Sequence, residues 1–448
     1  MHFKTDIIAL SFVISALCAC TPGEFTEEAG YPPIFPDYIG VTVPEGMAPL
    51  TFRMEDGRRF LSEQHREGDV LWTRVKAWKK GERRGTAYAE FPIYISHDPI
   101  DPYIAYRLIE PGYESWRNMG IYQREIASYE ETAIVTNRAN NLGCINCHNF
   151  AGGSPDRMLF HARGRGGGTV FVDGDDVKVL NLSQAGPHRQ GTYPAWHPEG
   201  RYVVFSSNTT RQSFTISNKQ PIEVYDTDSD IIIYDSATDS VRMLVETKET
   251  LETFPAWSPD GKTLYWCEAV DPGKIPYSRG EVHYKLMAAP FDDGELSGKP
   301  MLVYGNDSTS VSFPRVSEKW LLFTAARFGT FPIWHDEAEL MLLDLETGQV
   351  RLAEELNSDK SDSYHSWSSG GNWVVFSSRR LDGRYTRLFI SHFDGEGHFS
   401  KPFLLPQEDP DYNQLRLKSY NIPEFIGGRV SDRQEKIAGL FPEEEDKK

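Results

Sequence analysis

Short apolar runs separated by polar turns recur through most of this chain in a repeated order. The clearest copy, at residues 255–261, reads Pro-Ala-Trp-Ser-Pro-Asp-Gly and leads into the apolar run 264–266. Pro presets φ, Asp caps a turn and Gly adopts positive φ, so the Pro-Asp-Gly tip predicts a tight turn. The apolar run after the turn predicts a buried strand.

The same order returns elsewhere in the chain. Further copies begin at Ser154 (in part), Pro194, Pro314 and Ser363. The copy at Pro314 lacks the Asp-Gly tip, so its turn is the least regular. Within these repeated units a second apolar run follows the first, as at 230–234 and 340–344. Three or four short antiparallel strands per unit, repeated about every 50–60 residues, predict the blades of a β-propeller.

These units resemble the repeats of TolB-like β-propellers over about residues 150–410. The resemblance implies an all-β fold with about six blades, of which five are legible in the sequence. The missing blade is expected from strands near 103–108 or 420–425, which would close the ring by joining the two ends of the chain.

The region ahead of the repeats is expected to fold separately. Apolar segments at 39–52, 70–75 and 86–96 read as strands, and 113–128 is expected to hold a short helix. Residues 40–140 are therefore predicted to form a small β-rich N-terminal domain. Residues 141–410 are assigned to the propeller, and 411–448 to blade closure and an acidic tail.

The N-terminus is predicted to carry an export signal. An apolar run at 7–18 follows Lys4; it is too short for a permanent bilayer-spanning helix and suits a signal peptide over residues 1–20. The run ends in Leu-Cys-Ala-Cys, which resembles a bacterial lipobox with Cys20 as the lipidated residue. The alternative is a plain signal peptide. Residues 21–39 are predicted to form a tether, and the expected location is the cell envelope, with the lipid anchor in the outer membrane.

The net charge of the chain disfavours two classes of binding partner. The chain has 448 residues and a formal net charge of −18. An acidic surface disfavours nucleic acid and anionic membrane surfaces as partners. The charge is dispersed, except for the tail at 443–446, which is expected to be solvated.

Three of the five cysteines lie after the predicted signal and anchor. Cys267, in an apolar run, is expected to be a buried core residue. Cys144 and Cys147 form a Cys-x-x-Cys-His pattern with His148, which is the attachment pattern of c-type haem. On a helical turn, both thiols can add to the vinyl groups of one porphyrin, and the adjacent His ligates the iron.

Other interpretations of this motif stay open. The two cysteines could form a thiol-redox pair, although no thioredoxin-like context surrounds them. A zinc site would need a fourth ligand. The polar lead-in at 137–143 favours a surface loop, which would bring a haem to the edge of the fold. The combination of the motif with propeller repeats resembles a group of TolB-like lipoproteins of Bacteroidetes, for which the resemblance implies fold and cofactor but no reaction.

A sixth haem ligand is not fixed by the sequence. Met158 and His161 follow the motif, and both residue types ligate haem iron. On a strand they would point to opposite faces, so at most one could bind. The alternatives are that both are ordinary strand residues, or that a distant residue such as His188 serves.

Two functions are therefore expected from the sequence. The first is electron transfer to a redox partner through one haem c held by Cys144, Cys147 and His148. The second is an envelope module that binds a protein, peptide or glycan, in which the cysteine motif is structural. An enzyme is disfavoured, because the chain has no Gly-x-Ser-x-Gly elbow and no His-Glu-x-x-His motif.

Overall fold

The computed structural model describes residues 21–110, 118–164, 167–185, 191–214, 222–273 and 282–441. The predicted signal peptide, Cys20, His188 and the acidic tail lie outside these ranges. Within them the α-helices are two short segments, α1 (Tyr412–Leu415) and α2 (Gln434–Ala438). Short 3-10 turns occur at Asn137–Asn140, Ala151–Gly153, Leu182–Ala185 and Pro332–Trp334. No helix in the described part of the chain is long and apolar enough to cross a membrane.

A separate N-terminal sheet precedes the propeller. Its strands, together with a small β2–β4 ribbon, are β1 (Glu24–Glu28), β2 (Ile34–Phe35), β3 (Thr42–Pro44), β4 (Arg53–Met54), β5 (Arg59–Glu67), β6 (Val70–Trp78), β7 (Arg84–Tyr88) and β8 (Phe91–Ser96). The sheet order is β1-β7-β6-β8-β3, and β5 pairs with β6. The predicted tether at 21–39 is therefore part of the fold, because β1 pairs with β7 and both Ile34 and Tyr38 are core residues.

Six antiparallel sheets form the propeller. Blade one contains β9 (Tyr103–Ile109), β10 (Gly120–Glu125), β11 (Glu131–Thr136) and the C-terminal β33 (Ser419–Ile426), and blade two contains β12 (Ile145–Phe150), β13 (Arg157–Ala162), β14 (Gly168–Asp173) and β15 (Asp176–Leu180). Blade three contains β16 (Thr192–Trp196), β17 (Tyr202–Phe214), β18 (Ile222–Asp235) and β19 (Ser240–Val245). Blade four contains β20 (Thr250–Trp257), β21 (Thr263–Val270), β22 (Lys285–Asp292), β23 (Glu295–Leu296) and β24 (Met301–Tyr304). Blades five and six contain β25 (Ser310–Ser317), β26 (Trp320–Ala326), β27 (Glu339–Asp344) and β28 (Val350–Leu352); β29 (Asp362–Trp367), β30 (Trp373–Ser378), β31 (Arg387–His392) and β32 (Phe403–Leu404).

Blade one closes the ring with strands from both ends of the chain, as predicted. β33 pairs antiparallel with β9, with Tyr420 opposite Leu108 and Phe425 opposite Ile104. Strands β9–β11 therefore belong to the propeller rather than to the N-terminal domain. The helix predicted at 113–128 is wrong over 120–125, which form β10; residues 111–117 lie outside the described ranges.

The repeated Trp and the Pro-Asp-Gly tip have separate roles. Trp257 Nε1 donates to the Ala195 carbonyl of the preceding blade at 3.1 Å, and Trp367 does the same to Arg315. These bonds join neighbouring blades. At the tip, Asp260 Oδ1 accepts from the Lys262 backbone N–H at 3.1 Å, and Gly261 has a φ of 71°. The residue types therefore act as predicted for a tight turn.

The N-terminal sheet packs on the side of the ring. Its core residues Val75 and Phe91 share one apolar cluster with Trp373 and Ile390 of blade six. Trp373 Nε1 also donates to the Asp98 carbonyl at 3.1 Å. Continuous apolar contact of this kind fixes the sheet against the propeller.

Candidate functional site

One backbone irregularity is shared by all six innermost strands. Each strand has a bulge in which two consecutive residues leave the ladder with the second strand. The first residue of each bulge has a φ between 46° and 52°. We call these six residues the channel ring: Cys147, Tyr193, Phe254, Phe313, Tyr364 and Ile422. Cys147 thus has an equivalent in every other blade.

The second bulge residues form a proline ring. Its members are His148, Pro194, Pro255, Pro314, His365 and Pro423. The Cys147–His148 pair therefore takes the place that an aromatic–Pro pair holds in three other blades. The motif lies mostly on the innermost strand of blade two, because Ile145–Phe150 form β12, and so it is not at the edge of the fold, where the lead-in was expected to bring a haem. The lead-in at 137–143 is itself a loop, which contains the 3-10 turn Asn137–Asn140.

Tilted and edge-to-face aromatic contacts fill the centre of the ring. The centroids of Phe254 and Phe313 are 4.1 Å apart, those of Tyr193 and Phe254 4.3 Å, and those of Phe313 and Tyr364 4.8 Å. Cys147 and Ile422 complete this ring, and Cys147 is 7% exposed. Burial raises the pKa of the Cys147 thiol, so it is a poor nucleophile.

His148 is buried beside Cys147 with little polar contact. Neither ring nitrogen makes a hydrogen bond within the described residues, and Nε2 lies 4.0 Å from Glu424 Oε1. Burial, assisted by the positive charge of Arg107, lowers the pKa of His148 to about 3, and a weak contact with the Ile422 backbone acts in the opposite direction. The ring is therefore neutral, and its lone pair is free to accept a proton donor or an ion.

Glu424 links blade one to blade two. Its Oε2 accepts from the Phe150 backbone N–H at 3.0 Å and from Asn149 Nδ2 at 3.1 Å, while Oε1 has no partner among the described residues. Burial raises the pKa of Glu424 to about 7, and its hydrogen bonds and Arg315 act in the opposite direction. This carboxyl group changes charge near neutral pH.

Arg315, on the innermost strand of blade five, interacts electrostatically with Glu424. The residues that follow the proline ring form a mouth ring: Asn149, Ala195, Ala256, Arg315, Ser366 and Glu424. The side chain of Arg315 donates only to the Pro314 carbonyl, at 3.0 Å, among the described residues. Burial lowers the pKa of Arg315, and the carboxylate of Glu424 opposes that shift.

A small cavity opens at this mouth. It is lined by channel-ring residues, His148, two prolines and Arg315, and its volume is about 10 Å³. A volume of that size holds about one water. Pockets for organic ligands are about 300–1,000 Å³, so the cavity admits one small polar group.

The predicted haem does not fit this arrangement. Cys147 and His148 are buried in the centre of the ring, and Cys144 is partly exposed just before the strand begins. A porphyrin bonded to both thiols would need free space over His148, where only the small cavity lies. Attachment would require β12 to leave blade two. No group of three or more His, Cys, Asp or Glu side chains in the described ranges is placed to hold a metal ion.

The other candidate ligands have ordinary strand environments. Met158 and His161 lie on β13 and are both 1% exposed. Met158 packs in an apolar cluster with Phe150, while His161 Nδ1 lies 3.4 Å from Thr169 Oγ1. Cys267 is fully buried in β21, as predicted.

The far end of the ring is crossed by the long β17–β18 hairpin of blade three. Asn208 of this hairpin contacts Thr253 of blade four at 3.4 Å, and its Glu223 lies 3.4 Å from His335 of blade five. Asp226, in the same hairpin, is buried. The mouth at Arg315 is thus the end where the cavity lies.

The position of the cysteine motif was hidden by an insertion. In other units the turn residue follows the proline-ring residue after four positions, as Pro198 follows Pro194. In blade two, Pro155 follows His148 after seven positions, because the 3-10 turn Ala151–Gly153 intervenes.

The mouth residues Arg315 and Glu424 were not predicted from the sequence either. The signal that could have revealed them is that blades five and one have charged residues at the position where blades three and four have Ala195 and Ala256.

The fold defined by these sheets is a six-bladed β-propeller with an added N-terminal sheet. No protein-family model and no curated protein sequence matches the chain. Solved structures similar to it include a chain of a nidogen–laminin complex, with 10% identity, a TM-score of 0.44 and coverage of 72% of this chain and 99% of that one. An oligogalacturonate lyase in complex with manganese has 11% identity and a TM-score of 0.39, with coverage of 80% and 74%.

The tricorn protease is a third similar structure, at 13% identity and a TM-score of 0.40. The alignment covers 79% of this chain but only 37% of the protease. Each likeness is one of fold.

Proposed function

We propose that the protein is a propeller binding module of the bacterial cell envelope, which receives an acidic segment of a partner protein at the Arg315 mouth. In this proposal Cys147 and His148 are structural residues of the ring. The observation that carries the proposal is Arg315, a cation placed at the channel mouth with only one hydrogen bond among the described residues.

The chemistry of the mouth supports an anionic ligand group. A guanidinium has five N–H donors in a planar fork that matches a carboxylate. Arg315 is half-buried, Ala195 and Ala256 give the mouth ring two small side chains, and the cavity that Arg315 lines has room for about one carboxylate oxygen. The neutral ring of His148 lines the same cavity and can donate one further hydrogen bond.

Anchoring belongs to the same proposal. The lipobox-like sequence at Cys20 supports export and attachment to the outer membrane through lipid. Strand β1 begins four residues later, at Glu24, so the folded sheet would lie close to the bilayer. The partner is then an envelope protein within reach of that membrane.

Titration with a short acidic peptide tests the ligand site. Ile422 lines the cavity, so its methyl resonance in protein labelled at isoleucine methyl groups reports on the mouth. Triglutamate is expected to shift this resonance saturably, and triglutamine is not. Because hydrogen bonds to charged groups contribute about 1.5–3 kcal/mol, Arg315→Met is expected to weaken binding about 10- to 100-fold.

The matched control is Arg327→Met, which removes an exposed guanidinium at the far end of blade five. Its affinity for triglutamate is expected to equal that of the wild type. Equal binding by Arg315→Met and Arg327→Met would overturn the proposed site.

Haem-dependent electron transfer is the second candidate, and it stays a prediction. The observation that favours it is the pair of unpartnered nitrogens on His148, next to two free cysteines. Its test is the visible spectrum of protein produced in a host with haem-attachment machinery. A covalent haem band that is lost in Cys144→Ser and Cys147→Ser would support this candidate.

A further inference from the structure

A basic turn stands out on the acidic molecule. The turn joins β6 to β7 and, together with Arg84 at the start of β7, contains four cationic side chains and one carboxylate within residues 79–84. Lys79, Lys80 and Arg83 are exposed, and none of them has a carboxylate within 4 Å among the described residues. The fourth cation, Arg84, pairs with Glu24 at 3.1 Å.

The acidic residue of this turn is used locally. Glu82 Oε2 accepts from the backbone N–H of Lys79 at 3.3 Å, which holds the turn closed. Arg59 adds a further cation at the same end of the sheet, since it pairs with Trp78 in the β5–β6 ladder. The turn therefore presents several unpaired positive charges to solvent.

The basic turn lies where the N-terminal segment enters the fold. β1 runs parallel to β7, with Glu24 opposite Arg84. Residues that precede Glu24 therefore run back along the same direction as residues that precede Arg84, toward the turn. Cys20 is four residues from Glu24, and four residues span at most about 14 Å.

We infer that this basic turn is a second membrane contact, which binds the phosphate groups of anionic lipids beside the anchored N-terminus. The inference goes beyond the peptide site at Arg315 and uses different residues. Each cationic side chain near an anionic bilayer raises the partition coefficient of a protein from water onto the bilayer about fivefold. Over a Debye length of about 8 Å the local charge, not the net charge of −18, decides the contact.

Such a contact would also orient the molecule. A lipid chain alone lets a protein pivot about its attachment point, whereas a second contact on the rigid sheet restricts that rotation. The sheet shares a core with blade six through Phe91 and Trp373, so the propeller would follow its orientation.

Vesicle sedimentation tests the inference. The protein used is the chain from Thr21 onward, which contains every described strand. It is expected to bind vesicles of phosphatidylglycerol and phosphatidylcholine, and to leave pure phosphatidylcholine vesicles unbound. Replacing Lys79, Lys80 and Arg83 together by Gln is expected to reduce partition on the order of 100-fold.

The matched control changes charge equally elsewhere. Lys248, Lys262 and Lys299 are exposed on blades three and four, and their joint replacement by Gln is expected to leave partition unchanged within twofold. Equal partition into both vesicle types, or equal loss in both triple variants, would overturn the inference. Triglutamate binding at Arg315 is measured on the same proteins, so failure of the peptide site is separately visible.

Discussion

At the residue scale, His148 is best understood through its equivalents. Four of the six blades have Pro at this position, and two have His. Proline has no N–H and suits a bulge that has left the ladder. Histidine at the same position places an imidazole ring in the core, and burial keeps the ring of His148 neutral. The backbone of this bulge therefore accepts either Pro or His.

His148→Pro is expected to fold with an unfolding free energy within about 1 kcal/mol of the wild type. An unpartnered buried polar group costs about 1–3 kcal/mol, and its removal offsets the packing lost with the ring. The contrasting variant is His161→Pro, which lies inside the β13 ladder and is expected to lose about 3 kcal/mol or more. Urea denaturation of both proteins checks this; equal losses would contradict the structural role.

A second residue-scale prediction concerns acid stability. Burial lowers the pKa of His365 from 6.5 to about 3. Between these values the unfolded chain binds a proton that the folded chain does not, so stability is complete above pH 6.5 and declines as pH falls. One such histidine contributes a slope of about 1.4 kcal/mol per pH unit. Denaturation between pH 7 and pH 4 is expected to show a shallower decline for His365→Pro; an unchanged slope would contradict the assignment.

At the element scale, the sequence predicted what repeats and missed what departs from the repeat. The Trp and Pro-Asp-Gly positions fixed the second strand of most blades, because turn chemistry is local. The inner strand of blade two was not recognisable, since the insertion at 151–153 breaks its spacing. The mouth could not be predicted either, because Arg315 and Glu424 are 109 positions apart and meet only through ring closure.

At the scale of the whole molecule, one C-terminal strand closes the ring. A chain that ends at residue 410 lacks β33 and its buried residues Tyr420, Phe425 and Ile426. It is expected to lose cooperative unfolding, because the inner edge of blade one is then exposed. A chain that ends at Phe441 keeps every described element and is expected to unfold like the full chain. Thermal unfolding followed by circular dichroism compares the two, and a cooperative transition in the shorter chain would contradict the closure.

In the function proposed above, Cys147 and His148 are structural residues of the ring and carry no haem. The most direct test is the absorption spectrum of the denatured protein after production with haem-attachment machinery. We expect no covalent haem band in the wild type, because β12 holds both residues inside blade two. A haem band that survives denaturation and disappears in Cys144→Ser and Cys147→Ser would contradict it.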